Sequence, residues 1–135
     1  MAYPLTFAMA AHVAHAGFLY VLLTIARAPS VWGVGSRPDG SNPWAEIEPR
    51  ISANLSNQFE WPVFFHSACL LLLFQREAGH FVLALAWIFV GGRLLHSYVQ
   101  IAGTSIRLRG LVFTVNFLAV LGLWTVVLLN ALKSS

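Results

Sequence analysis

Residues 92–110 read GRLLHSYVQIAGTSIRLRG, and they decide how the rest of the chain must fold. They close an apolar run, FVLALAWIFVG at 81–91, yet they carry Arg93, His96, Gln100, Arg107 and Arg109. A charge set inside a membrane-grade segment faces a bundle interior or a water-filled cavity, because lipid cannot solvate it. Arg93, His96, Gln100, Thr104 and Arg107 recur at steps of three or four, so they predict one polar face of a helix. That face requires a partner with polar groups of its own.

Working outward, composition makes lipid the solvent. Of 135 residues, 58% are hydrophobic and 10% are charged, with a mean hydropathy of +0.71. A soluble domain is about half apolar and about a quarter charged. The net charge of +3 rests on few residues and forms no basic stripe, which argues against a nucleic-acid partner. The one cysteine, Cys69, allows no intrachain disulfide. It lies in the apolar run SACLLLLF, where thiolate is disfavoured, so it reads as packing rather than as a nucleophile. The first residues lack the basic region of a signal peptide and read as a retained membrane helix.

A helix needs about 20 mostly apolar residues to cross about 30 Å of hydrocarbon. Four segments meet this, at 4–27, 49–75, 79–102 and 107–132. Pro29 is expected to stop the first, and Pro49 suits the first turn of the second. Short connections at REAG (76–79) and GTSI (103–106) predict antiparallel neighbours. The longer connection at 28–48 reads as a loop over one end of the bundle. The expected fold is one all-α domain over 1–135, a four-helix membrane bundle.

Arg27, Arg37, Arg50, Arg107 and Arg109 gather at the end that carries the long loop, against Arg76 and Lys133 at the other. The positive-inside rule then places that loop in the cytoplasm. The second segment supplies the partner stripe: Arg50, Asn54, Asn57 and then Glu60 or Trp61. Pro62 frees the carbonyl of Gln58, which predicts a local kink. Gly91 and Gly92 predict the close approach of another helix. The two stripes together predict a polar cavity opening at the loop end.

The run RISANLSNQFEWP (50–62), with GRLLHSYVQ and IRLRG, resembles the MAPEG superfamily. These are small four-helix membrane proteins that include microsomal glutathione transferases and the leukotriene- and prostaglandin-forming synthases. The NQFEWP form is most similar to bacterial members, which implies a bacterial inner membrane with the site facing the cytoplasm. The resemblance implies a homotrimer that binds glutathione as co-substrate between subunits and takes a lipophilic second substrate from the lipid. It implies that Arg50 and Asn54 contact glutathione and that Arg93 is the buried helix-three arginine. It also implies that Arg107 stabilises the thiolate and that Arg27 lies near the glutathione carboxylates. Asn57 stands where the family usually has glutamate. Glu60, three residues later, is the candidate for the glutathione ammonium. His96 and Gln100 stand where the synthases carry tyrosines. The implied activity is that of a transferase or peroxidase.

Two other readings are kept. A non-catalytic member of the same fold would bind a lipid or a protein. Alternatively His12, His15 and His66 fall at similar depth, and facing histidines on membrane helices hold haem or a metal in other proteins. No metal ligands are assigned on the first reading.

Overall fold

A computed structural model describes residues 3–134. Its five helices are α1 (Tyr3–Trp32), α2 (Glu48–Ser56), α3 (Pro62–Phe74), α4 (His80–Ala102) and α5 (Ile106–Ser134). Among the described residues there is no strand. Three helices, α1, α4 and α5, are long and apolar enough to cross a membrane. Their outward faces carry large apolar side chains such as Phe18, Phe81, Leu111 and Leu118. On a lipid-facing surface such residues need no water and incur no exposure penalty.

The first segment does not stop at Pro29. The helix continues to Trp32 with Pro29 buried inside it. The carbonyl that Pro29 deprives of an N–H is that of Ile25, and the loop at 33–47 ties down the turn that follows it. Asn42 folds back and donates to the carbonyl of Ala26 (2.9 Å) and to the hydroxyl of Ser30 (2.8 Å). Ser36 donates to the carbonyl of Pro29 (3.1 Å). In the same loop Ser41 donates its hydroxyl and its N–H to Asp39, which holds that carboxyl below its ordinary range.

The expected second helix, 49–75, is two helices. Between them, residues 57–61 form tight turns with bonds from Gln58 N–H to the Leu55 carbonyl and from Phe59 N–H to the Ser56 carbonyl. Pro62 begins α3 and has no N–H to continue the ladder. The predicted kink is therefore a full break. At 13 residues, α3 is about 20 Å long, too short to cross the hydrocarbon alone.

The interior is layered. Leu5 and Ala8 of α1 join Phe65 and Leu72 of α3, Ala86 and Phe89 of α4 and Leu123 of α5 in one apolar cluster. Leu19, Leu23 and Ala26 join Ile51 and Leu55 of α2 in a second. Between the two clusters, along both α1 and α4, lies a polar belt of His12, His15, Arg93, His96 and Ser97. α4 packs chiefly on α5. Gly92 allows one close approach there, since a Cβ would collide with the Asn116 amide oxygen. Gly91 faces open space, so only one of the two glycines serves helix approach.

Candidate functional site

The break between α2 and α3 builds the site. It points Gln58 into the bundle and leaves Asn57, Glu60 and Trp61 on the wall of a cleft. Arg93 of α4, 1% exposed, bridges the two sides. Its Nε donates to Gln58 Oε1 (3.1 Å) and its Nη2 to the carbonyl of Asn57 (3.0 Å). In an unbroken helix that carbonyl would be taken by the N–H four residues on.

Every acceptor bonded to Arg93 is neutral. The sequence allows an ion pair between Arg93 and Glu60. Among the described residues the only ion pair within 4 Å is Arg27–Glu48. The bonded partners of this buried guanidinium are neutral, and the Glu60 carboxylate shares its cleft wall without touching it, so a further negative group entering the cleft would still be favoured.

The cleft has two adjoining parts that share Asn57, His96 and Phe113. One part, about 420 Å³, is also lined by Glu60, Trp61, Phe64 and Arg93. It is the aromatic part, and behind it Phe117 of α5 stacks on Trp61 at 4.7 Å between ring centres. The other part, about 430 Å³, adds Gln100, Ile106, Arg109 and Gly110. It is the polar part and lies at the α4–α5 turn. Two ring nitrogens of the lining residues, Trp61 Nε1 and His96 Nδ1, are buried without a hydrogen-bond partner.

The expected site residues are thus distributed unevenly. Asn57, Glu60, Arg93, His96 and Gln100 come together at the cleft, as their stripes predict. Asn54 is 0% exposed and is used up inside. Its Oδ1 accepts from Ser97 (2.7 Å) and Gln58 (3.2 Å), and its Nδ2 donates to Gln100 (2.9 Å). Arg50 is exposed on α2 and lines neither part of the cleft. Arg27 is engaged by Glu48 (2.6 Å) and Ser52 (3.1 Å). Arg107 is exposed and outside the cleft, and Arg109, on the nearly opposite face of α5, lines it. Thr104 follows the end of α4, so the α4 stripe ends at Gln100.

Gln58 and Ser97 were not singled out as site residues from the sequence. Each lies four residues after one that was, Asn54 and Arg93, so the same helical spacing points to both.

The histidine trio does not form a metal centre. His12 Nδ1 and His66 Nε2 are hydrogen-bonded at 3.0 Å, so the two rings leave no gap between them for a haem plane. His15 lies beside His12 with its ring centre 6.3 Å away. Among the described residues no group of three ligating side chains has metal-binding geometry.

Residues 5–129 of the chain match the model of the MAPEG family. No curated protein and no solved structure matches it.

Proposed function

The chain belongs to the MAPEG family of membrane proteins, and from that premise we propose that it is a glutathione-dependent transferase or peroxidase acting on lipophilic electrophiles. The observation that carries this is Arg93, a buried guanidinium on the cleft wall whose bonded partners are all neutral. Glutathione brings carboxylates and, once ionised, a thiolate to such a place. The polar part of the cleft, with Asn57, Gln100 and Arg109, suits the peptide. The aromatic part, with Trp61, Phe64 and Phe113, suits an electrophile that arrives from lipid. Glu60 is the anion that suits the glutathione ammonium.

The thiolate, not the thiol, is the nucleophile. A guanidinium beside the sulfur favours ionisation, and lowering a thiol pKa by two units corresponds to about 2.7 kcal/mol. Arginine holds its proton, so it stabilises the thiolate without acting as the base. The arginine pair that opens α5 supplies this charge. Arg109 does so within its own chain. Arg107 does so only across a contact between subunits, and Arg50 of α2 reaches the glutathione carboxylates in the same way, which is how a homotrimer would use them. In this arrangement α2 and α3 together make the fourth crossing. The loop at 33–47 and the site then face the cytoplasm, in a bacterial inner membrane.

The test is stopped-flow ultraviolet absorbance of thiolate when detergent-purified protein meets glutathione, with the assembly mass measured in parallel. We expect a saturable signal that is lost in Arg109→Ala. Loss in Arg107→Ala instead would move the sulfur to a subunit contact. An intact trimer with no signal overturns the reading. A second reading, binding without turnover, is favoured by Asn54, whose amide is satisfied within the chain. It predicts that glutathione binds and no thiolate forms.

A further inference from the structure

Gln58 stands at the centre of a bonded chain that crosses the bundle. Its Nε2 donates to the carbonyl of Asn54 (3.0 Å) and to Asn54 Oδ1 (3.2 Å). Its Oε1 accepts from Arg93 Nε and lies 3.1 Å from His12 Nε2. His12 Nδ1 lies 3.0 Å from His66 Nε2. The chain therefore runs from His66 on α3 to His12 on α1, to Gln58 in the break, and to Arg93 on α4.

The protons along this chain have one arrangement. A guanidinium only donates, so the Gln58 atom facing Arg93 is the oxygen. His12 Nε2 faces that same oxygen, so it carries hydrogen. Neutral imidazole has one N–H, which leaves His12 Nδ1 bare. His66 Nε2 faces the bare nitrogen, so it must donate. Each group fixes the next, and neither His12 nor Gln58 can be turned over without breaking at least two bonds.

We propose that His12 and His66 are positioning residues for Arg93: they lock the Gln58 carboxamide, which in turn sets the guanidinium against the cleft. This rests on the glutathione reading for its consequence in binding, but not for its geometry. Of the groups on Arg93, Nε and Nη2 are held by the chain and by Asn57. The rest of the guanidinium is left to meet a ligand. Without His12, Gln58 Oε1 keeps a single donor, Arg93, and the carboxamide is held from the α2 side alone, through Asn54. The histidines then form a brace that acts on the site from the far side of the bundle.

Substitutions at His12 separate positioning from simple packing. Glutamine reaches as far as imidazole Nε2 and can donate to Gln58 with its amide nitrogen. Asparagine reaches only as far as Nδ1 and cannot. Loss of a neutral hydrogen bond corresponds to a few-fold to tenfold change in an equilibrium, so His12→Asn and His12→Leu should weaken glutathione binding by about fivefold to tenfold. His12→Gln should bind within about twofold of the native protein. A purely structural role would penalise glutamine and asparagine alike.

The readout independent of glutathione is nitrogen-15 NMR of the full-length protein in micelles. We expect His12 with hydrogen on Nε2 only, His66 with hydrogen on Nε2, and an Arg93 Nε–H signal that exchanges slowly. That signal should broaden or exchange faster in His12→Leu and persist in His12→Gln. A native His12 carrying hydrogen on Nδ1 overturns the relay. So does an Arg93 signal indifferent to His12→Leu. If the native protein binds no glutathione while these signals behave as expected, the glutathione reading falls and the brace stands.

Discussion

Two sets of buried polar groups lie at the same level of the bundle and are treated in opposite ways. On the α1–α2 side, Asn54, Gln58, Arg93 and Ser97 bond one another, and His12 and Gln100 extend the set. On the α5 side, Trp61 Nε1, His96 Nδ1 and both amide atoms of Asn116 have no partner, while among the described residues His15 Nδ1 is the one such atom on α1. Buried polar groups are paired in the large majority of cases, so the exceptions need a reason. The bonded set is self-sufficient and joins α1, α2, α4 and the break. The unpaired set borders the cleft through Trp61 and His96. α5 is held instead by stacked rings and by two anchors, Trp124 to the Phe64 carbonyl and Gln75 to the Val127 carbonyl, each at 3.1 Å. One side of the molecule is thus built for rigidity. The other keeps hydrogen-bonding capacity unspent beside the site.

The sharpest way to break this contrast is Gln58→Leu. It leaves Arg93 Nε and His12 Nε2 without an acceptor, and each buried donor left unsatisfied costs about 1–3 kcal/mol, more where it is charged. Unfolding in mixed micelles should show that loss, and a change under about 1 kcal/mol would mean that the belt is not a brace. Next comes Gly92→Ala, where the new Cβ meets the Asn116 amide. Overpacking of this kind costs about 1–3 kcal/mol. Asn116→Ala in the same chain should recover most of it, because the clash is with that one side chain. Failure to recover would place the strain in the α4–α5 backbone. The smallest effect lies outside both regions. Arg76 sits at φ 56° just after α3, where Glu77 N–H bonds the Leu72 carbonyl and Arg76 N–H bonds the Leu73 carbonyl. Glycine fits that left-handed position better, so Arg76→Gly should stabilise by about 1 kcal/mol and leave ligand binding unchanged.

Much of the site was legible because helical spacing is local. Arg93, His96 and Gln100 could be set on one face from the sequence alone, and so could Asn57 and Glu60 near the break. What was not legible depends on contacts far apart in the chain. The continuation of α1 past Pro29 depends on Asn42, and nothing near Pro29 announces that bond. The burial of Asn54 depends on Ser97 and Gln100 of α4, so a residue expected to touch ligand is spent on the interior. The direct bond between His12 and His66 decides against haem, and depth alone cannot show ring-to-ring distance. Arg107 and Arg109 are two residues apart and lie on nearly opposite faces of α5, and spacing cannot tell which of those faces looks into the cleft.

The neutral acceptors of Arg93 also bear on how the chain is assembled. Both come from the α2–α3 break, 35 and 36 residues earlier in the chain. When α4 enters the membrane it therefore carries an arginine that nothing on its own helix satisfies. An arginine at the centre of a helix costs about 2.5–3.5 kcal/mol on insertion. Docking onto the break relieves this, and a helix docked in another register does not. The same bonds that brace the finished molecule thus act during biogenesis as a check that α4 has found its proper neighbour.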